Sequence, residues 1–175
     1  MVSVNSRRTR DFAGCASLTV EKCEEYTKRL RLRPVTTEDY EYLYSLHVAS
    51  MKEYVEQTWG WDEEFQQERF RKDFDPADLQ IIALDNVSIG VVSIRRNATE
   101  FFLRAIEIHP EYQGRGIGTY IIRSILDEAD GRGVPVILYV LKVNPARKLY
   151  HRLGLKIVGE TTTHYTMTTR PNEIT

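Results

Sequence analysis

Cysteine is nearly absent: Cys15 and Cys23 are the only two among 175 residues, both near the start. With no further Cys or clustered His beside them, they match neither a zinc site nor a disulfide scaffold, and reduced thiols are expected. Long apolar runs are missing too. None approaches the roughly 20 residues that span a bilayer, and "MVSVNSRRTRDF" lacks the hydrophobic stretch of a secretory signal. The expected location is the cytoplasm, with no membrane partner. Charge of one sign is also lacking. With 24 Lys and Arg against 25 Asp and Glu the formal net charge is −1, so no nucleic-acid partner is expected and any positive site must be local. The four histidines are scattered without metal-ligand spacing, and no metal is expected.

What remains is an ordinary globular composition, 42% hydrophobic and 28% charged, enough for one core. Residues 1–29 read as an extension in which "LTVEKCEEYTKRL" can form a short surface helix. Residues 30–170 read as the domain, and 171–175 as a tail. "LRLRPV" alternates like a half-buried strand. Thr36 and Asp39 form a capping pair for a helix with Leu43, Leu46, His47, Ser50, Met51, Tyr54 and Val55 along one stripe. Gly60 interrupts it, and Asp62 caps a second helix carrying Phe65, Phe70 and Phe74 until Asp75-Pro76. "LQIIAL" and "VSIGVVSIRR" flank the hairpin signal Asp85-Asn86, and "TEFFLRAIEI" extends the meander. A long helix follows from Ile117 to Gly131-Arg132-Gly133. "VPVILYV" reads as a strand buried on both faces and paired in parallel. Asn144-Pro145 opens another helix, and "LKIVGE" and "THYTMTT" are two closing strands. The order is strand, two helices, three strands, helix, strand, helix, two strands.

Between the meander and the long helix lies "IEIHPEYQGRGIG", with glycines at every second position from Gly114 to Gly118. A strand that runs through glycines into a helix sets backbone N–H groups at the positive end of the helix dipole, a seat for phosphate. Three readings of such a loop fit poorly. A P-loop requires a Lys-Ser/Thr pair that is missing. A dinucleotide fold requires a glycine where Thr119 stands and a βαβ unit in place of the meander. A bare turn fits one glycine better than three.

"HPEYQGRGIGTYII" resembles the Q/R-x-x-G-x-G/A signature of the GNAT acyltransferase superfamily. "NPARKLYHRLGL" resembles its second signature, N-x-x-A-x-x-L-Y-x-x-x-G-F. The match runs through Asn144, Leu149-Tyr150 and Gly154, with Ala146 one place early and Leu155 for Phe. The order of elements from 30 to about 170 fits as well. The resemblance implies an α/β (α+β) fold: a central mixed, mostly antiparallel sheet of about seven strands, flanked by about four helices and splayed between strands 4 and 5.

It also implies a chemistry, transfer of an acetyl group from acetyl-CoA to an amine in a ternary complex. By position, Gln113, Gly114, Arg115, Gly116, Ile117, Gly118 and Thr119 would seat the pyrophosphate, and Ile106 and Ile108 would lend backbone groups to the pantetheine. Asn144 would lie near the pantetheine; of Arg147, Lys148 and Arg152, which can meet the 3′-phosphate end or form a solvated helix face, Arg147 is expected at the phosphate and the other two in solvent. Tyr150 would be the general acid, the Ile108 N–H the donor to the carbonyl oxygen, and Glu107 the base. His47 reads as a core-edge histidine and His109 as a turn residue. On the acceptor side, Tyr54, Trp59 and Trp61 stand among carboxylates and suit a cationic amine. The expected acceptor is a small-molecule primary amine. A protein or peptide amine is the alternative acceptor, a non-catalytic acyl-CoA-binding domain is the alternative function, and the family admits a homodimer.

Overall fold

The computed structural model describes residues 20–170. The expectations for residues 1–19, for the tail 171–175, and for the thiols of Cys15 and Cys23 lie outside the described residues. Seven strands make one sheet: β1 (Leu30–Pro34), β2 (Leu79–Leu84), β3 (Val87–Arg96), β4 (Phe101–Ile108), β5 (Val136–Leu141), β6 (Lys156–Glu160) and β7 (His164–Thr168). Their spatial order is β1-β2-β3-β4-β5-β7-β6, and β4 with β5 is the parallel pair. The helices are α1 (Val20–Arg29), α2 (Tyr40–Trp59), α3 (Glu63–Asp73), α4 (Ile117–Arg132) and α5 (Ala146–Arg152). None is long and apolar enough to cross a membrane.

Local chemistry fixes the ends of these elements. Asp39 closes the capping box with Thr36, its carboxylate accepting from the Thr36 N–H at 2.9 Å, while Arg33 grips both oxygens at 2.7 and 2.8 Å. A 3₁₀ turn over Thr37–Asp39 precedes α2. The Asp62 carboxylate accepts from the Phe65 N–H and starts α3. Asp85 and Asn86 take φ of +50° and +68°, the double left-handed conformation that a two-residue hairpin needs.

Both faces of the sheet are covered. On one face Leu43, Leu46, Ile81 and Val91 pack beneath α2 and α3. On the other, Ile82, Val92, Phe101, Ile121, Ile125 and Tyr26 join the larger core under α4, α5 and α1. Adjacent strand residues therefore serve opposite cores, as the pleat requires, which is why β2 and β3 read as nearly unbroken apolar runs.

The expectation for β5 needs correction. The strand β5 pairs in parallel only across Phe101–Leu103 with Val136–Leu138; its other edge runs antiparallel to β7, which inserts between β5 and β6. It is not buried on both faces throughout, since Tyr139 is 58% exposed. On α3, Phe65 is 57% exposed whereas Gln66 is buried. Phe65 stands five residues from Phe70, about 140° around a helix of 3.6 residues per turn, and so faces away from the core that Phe70 joins.

Candidate active site

The sheet opens where β4 and β5 part. Their ladder ends at Leu103 and Leu138, while β4 continues to Ile108. The His109 N–H donates to Ile89 O at 2.9 Å on the β3 side. Alternation along the ladder therefore turns the Ile106 and Ile108 amide groups to the opposite, open edge. On that edge the Gln113 side-chain amide donates to the Ile108 carbonyl at 2.8 Å. Two clefts meet at this gap, one of about 410 Å³ on the glycine-loop side and one of about 400 Å³ beneath α2 and α3. Five residues line both: Met51, Ile106, Glu107, Asn144 and Tyr150.

The glycine loop forms one wall of the first cleft. Gly114 and Gly116 adopt φ of +71° and +88°, a region where a side chain is strained, and Gly116 caps α4. Gly118 sits in the first helical turn, where an added Cβ would face Ile108 and Leu149 at 3.4 and 3.9 Å, both lining residues. Gln113, Gly114, Gly116, Ile117, Gly118 and Thr119 all line this cleft. The Arg115 side chain does not: its guanidinium donates to Glu111 O at 2.8 Å and lies over the Tyr112 ring at 5.2 Å. Arg147 is also elsewhere, 5.1 Å over the Tyr165 ring, and Arg152 of the same helix reaches the cleft in its place. Asn144 Oδ1 accepts from the Ala146 N–H at 2.9 Å, which holds the entry to α5 while the residue borders both clefts.

At the junction, Glu107 points away from the Ile106 and Ile108 side chains and toward α2. His47 Nδ1 lies 3.0 Å from Glu107 Oε1, and the Ser50 hydroxyl donates to Oε2 at 2.8 Å. The carboxylate is largely covered, its side chain 14% exposed. His47 is thus no mere core-edge ring, although Phe70 and Trp61 flank it at 5.5 and 6.5 Å between ring centres. Tyr150 enters from α5, 8% exposed, and burial alone pushes its phenol up to about 12. It is therefore a proton donor at neutral pH.

The three aromatics expected on the acceptor side separate. Trp59 forms the lip of the α2–α3 cleft, its ring 5.9 Å from His164, whose own proton affinity is lowered by burial and by Arg69. Tyr54 lines the glycine-loop cleft instead. Trp61 staples the helix corner: its indole N–H donates to Glu63 Oε2 at 2.8 Å, and Lys52 Nζ sits 5.3 Å from its ring. His109 caps a turn, its Nδ1 accepting from the Glu111 N–H. Sequence reasoning missed the joint hold of His47 and Ser50 on Glu107. The available signal was a pair of polar residues three apart within an apolar helical stripe.

Comparison with known proteins gives a consistent result. The model of the acetyltransferase (GNAT) family matches residues 40–155. Among solved structures, PaiA N-acetyltransferase of Thermoplasma acidophilum in complex with coenzyme A is 19% identical, with a TM-score of 0.66 over 81% of this chain and 98% of that one. An acetyltransferase of Thermus thermophilus is 21% identical, with a TM-score of 0.62 over 80% and 96%. Naa50 of Arabidopsis thaliana, bound to the bisubstrate analogue CoA-Ac-MVNAL, is 14% identical, with a TM-score of 0.56 over 81% and 99%. No curated protein matches the sequence significantly.

Proposed function

The chain belongs to the acetyltransferase (GNAT) family and is an acetyl-CoA-dependent acetyltransferase, and from that premise we propose that it acetylates the primary amine of a small molecule by direct transfer across the β4–β5 gap. The observation that carries the reading is the junction itself: Glu107 and Tyr150 stand where two clefts of similar size meet. The glycine-loop cleft suits the donor. Positive φ at Gly114 and Gly116 and the start of α4 favour a pyrophosphate there. The open edge of β4 suits a pantetheine lying alongside as an added strand would. Acetyl-CoA supplies an activated acetyl thioester.

The protein's part is proton handling and orientation. An alkylammonium with pKa about 10.4 must lose a proton before its nitrogen can attack, at a cost of roughly 4.6 kcal/mol at pH 7. Glu107 accepts that proton, and His47 beside it offers an exit. The nitrogen bonds to the carbonyl carbon, the C–S bond breaks, and its electron pair leaves on sulfur. Tyr150 donates the proton that the sulfur takes. The nitrogen sheds a second proton as the amide forms, balancing the one that Tyr150 gives. The Ile108 N–H faces the gap and donates to the acetyl oxygen as charge develops there.

Trp59 and Phe70 line the α2–α3 cleft together with Glu107, which supports an amine with an apolar body. A peptide amine is the second reading, favoured by the likeness to Naa50. Thiol release from acetyl-CoA, measured over a panel of small amines and short peptides, tests the proposal. Release with small amines and little with peptides is expected. Measurable CoA binding with no release from any amine would overturn it.

A further inference from the structure

The helix α1 precedes the segment that matches the family, yet it reaches the glycine loop. Its Tyr26 is 6% exposed, packs edge-on against Tyr120 of α4 at 5.9 Å, and donates its hydroxyl to the Arg115 carbonyl at 2.5 Å. Burial, with Glu25 adding to it, raises the proton affinity of the phenol, so it remains a donor at neutral pH. Three residues on, at the C-terminus of the helix, Arg29 clamps Asp85 in the β2–β3 turn, with contacts at 2.5 and 2.9 Å, and also pairs with Glu25. The last turn of the helix is thus tied both to the β2–β3 turn and to the glycine loop.

The peptide joining Arg115 to Gly116 is planar and trans, so its C=O and N–H point in opposite directions. A hydroxyl that holds the carbonyl toward α1 therefore turns the N–H of Gly116, a residue that lines the cleft, away from α1. The Arg115 side chain, spent on Glu111 O and the Tyr112 ring, fixes the residue from its other end. Glycine at position 116 makes this peptide easy to flip, so orientation has to come from a partner.

We propose that Tyr26 is a positioning residue for the donor site: its hydroxyl sets the 115–116 peptide so that the Gly116 N–H is presented to the pyrophosphate of CoA. This rests on the reading of the glycine loop as the CoA seat. Tyr26 touches no reacting atom. Its loss acts on donor binding and leaves the chemical step alone.

The test is Tyr26→Phe, which retains the ring and its packing and removes one hydroxyl. CoA affinity by calorimetry and the KM for acetyl-CoA should weaken about 2- to 10-fold, the range that one neutral hydrogen bond carries. The kcat at saturating donor should stay within about twofold. Amide hydrogen exchange without CoA should quicken at 114–118 in the variant, while the β2–β3 core retains its protection. Unchanged affinity and unchanged loop exchange would overturn the role of Tyr26, as would a fall in kcat alone. Failure of the unaltered protein to bind CoA would overturn the donor-site reading instead, and a quickened loop in the variant would still separate the two.

Discussion

Gly90 lies on β3 opposite Ile108, and a Cβ built there would stand 2.4 Å from the Glu107 backbone oxygen and 3.3 Å from the Ile108 Cα. Ordinary contact begins near 3.4 Å, so Gly90→Ala must move the β4 backbone by about 3.4 − 2.4 = 1.0 Å, or β3 by as much. Neither neighbour is a flexible side-chain tip. Overpacking of this kind costs about 1–3 kcal/mol of stability, which a domain with two filled cores can survive. The functional cost should be larger. The displaced residues are the candidate base and the candidate carbonyl donor, and a 1 Å misplacement of such groups costs on the order of 10²-fold in rate. The seat at 113–119 lies beyond the shifted pair. We therefore expect kcat to fall about 100-fold, with a smaller loss of CoA affinity, because the shifted Ile108 also borders the pantetheine edge and accepts from Gln113. Steady-state thiol release, normalised to active sites counted by CoA titration, measures the first quantity, and calorimetry the second. A folded Gly90→Ala protein with an unaltered kcat would refute the placement of the chemistry on this stretch of β4.

Other substitutions probe single links. Tyr150→Phe retains the packing of a residue 8% exposed and should lower kcat about 10²- to 10⁴-fold with little change in CoA affinity; an equal loss in both would assign the residue to packing. Glu107→Gln removes the candidate proton acceptor and should lower kcat/KM for the amine about 10²-fold or more, and His47→Gln should lower it less, without abolishing turnover; steady-state kinetics of the two variants decide. The Asp39 carboxylate is held well below the ordinary range, chiefly by Arg33, so it stabilises the fold above about pH 4 and loses that contribution as pH falls. Asp39→Asn should thus cost about 1–2 kcal/mol at pH 7 in urea unfolding, with the deficit narrowing below pH 4. Gly131 lies inside α4, with nothing within 4 Å of where a Cβ would stand, and its replacement by Ala should add about 0.5–1 kcal/mol of stability.

Much of this was legible in the sequence where physics is local. The φ of Gly114 and Gly116, the Asp85-Asn86 turn and the Asp62 cap each depend on residues within a few positions. Glu107 faces the side opposite to Ile106 and Ile108 because strand periodicity is strict. What stayed hidden depends on distant partners. The pairing of His47 with Glu107 joins residues sixty apart, and the Tyr26 contact joins residues 89 apart. Arg147 and Arg152 differ by five residues, hence by about 140° on α5, and the sequence does not say which side faces the loop. The insertion of β7 beside β5 has the same origin, since non-local strand pairing leaves no mark in either segment alone.

The central claim is that the donor lies on the glycine loop with its sulfur delivered to the β4–β5 gap. A crystal structure with CoA tests it most directly. The account predicts the pyrophosphate on the Gly114–Gly118 amides and the sulfur within about 3.5 Å of the Tyr150 oxygen. Pyrophosphate bound away from the loop, or a sulfur outside the reach of Tyr150, would contradict it.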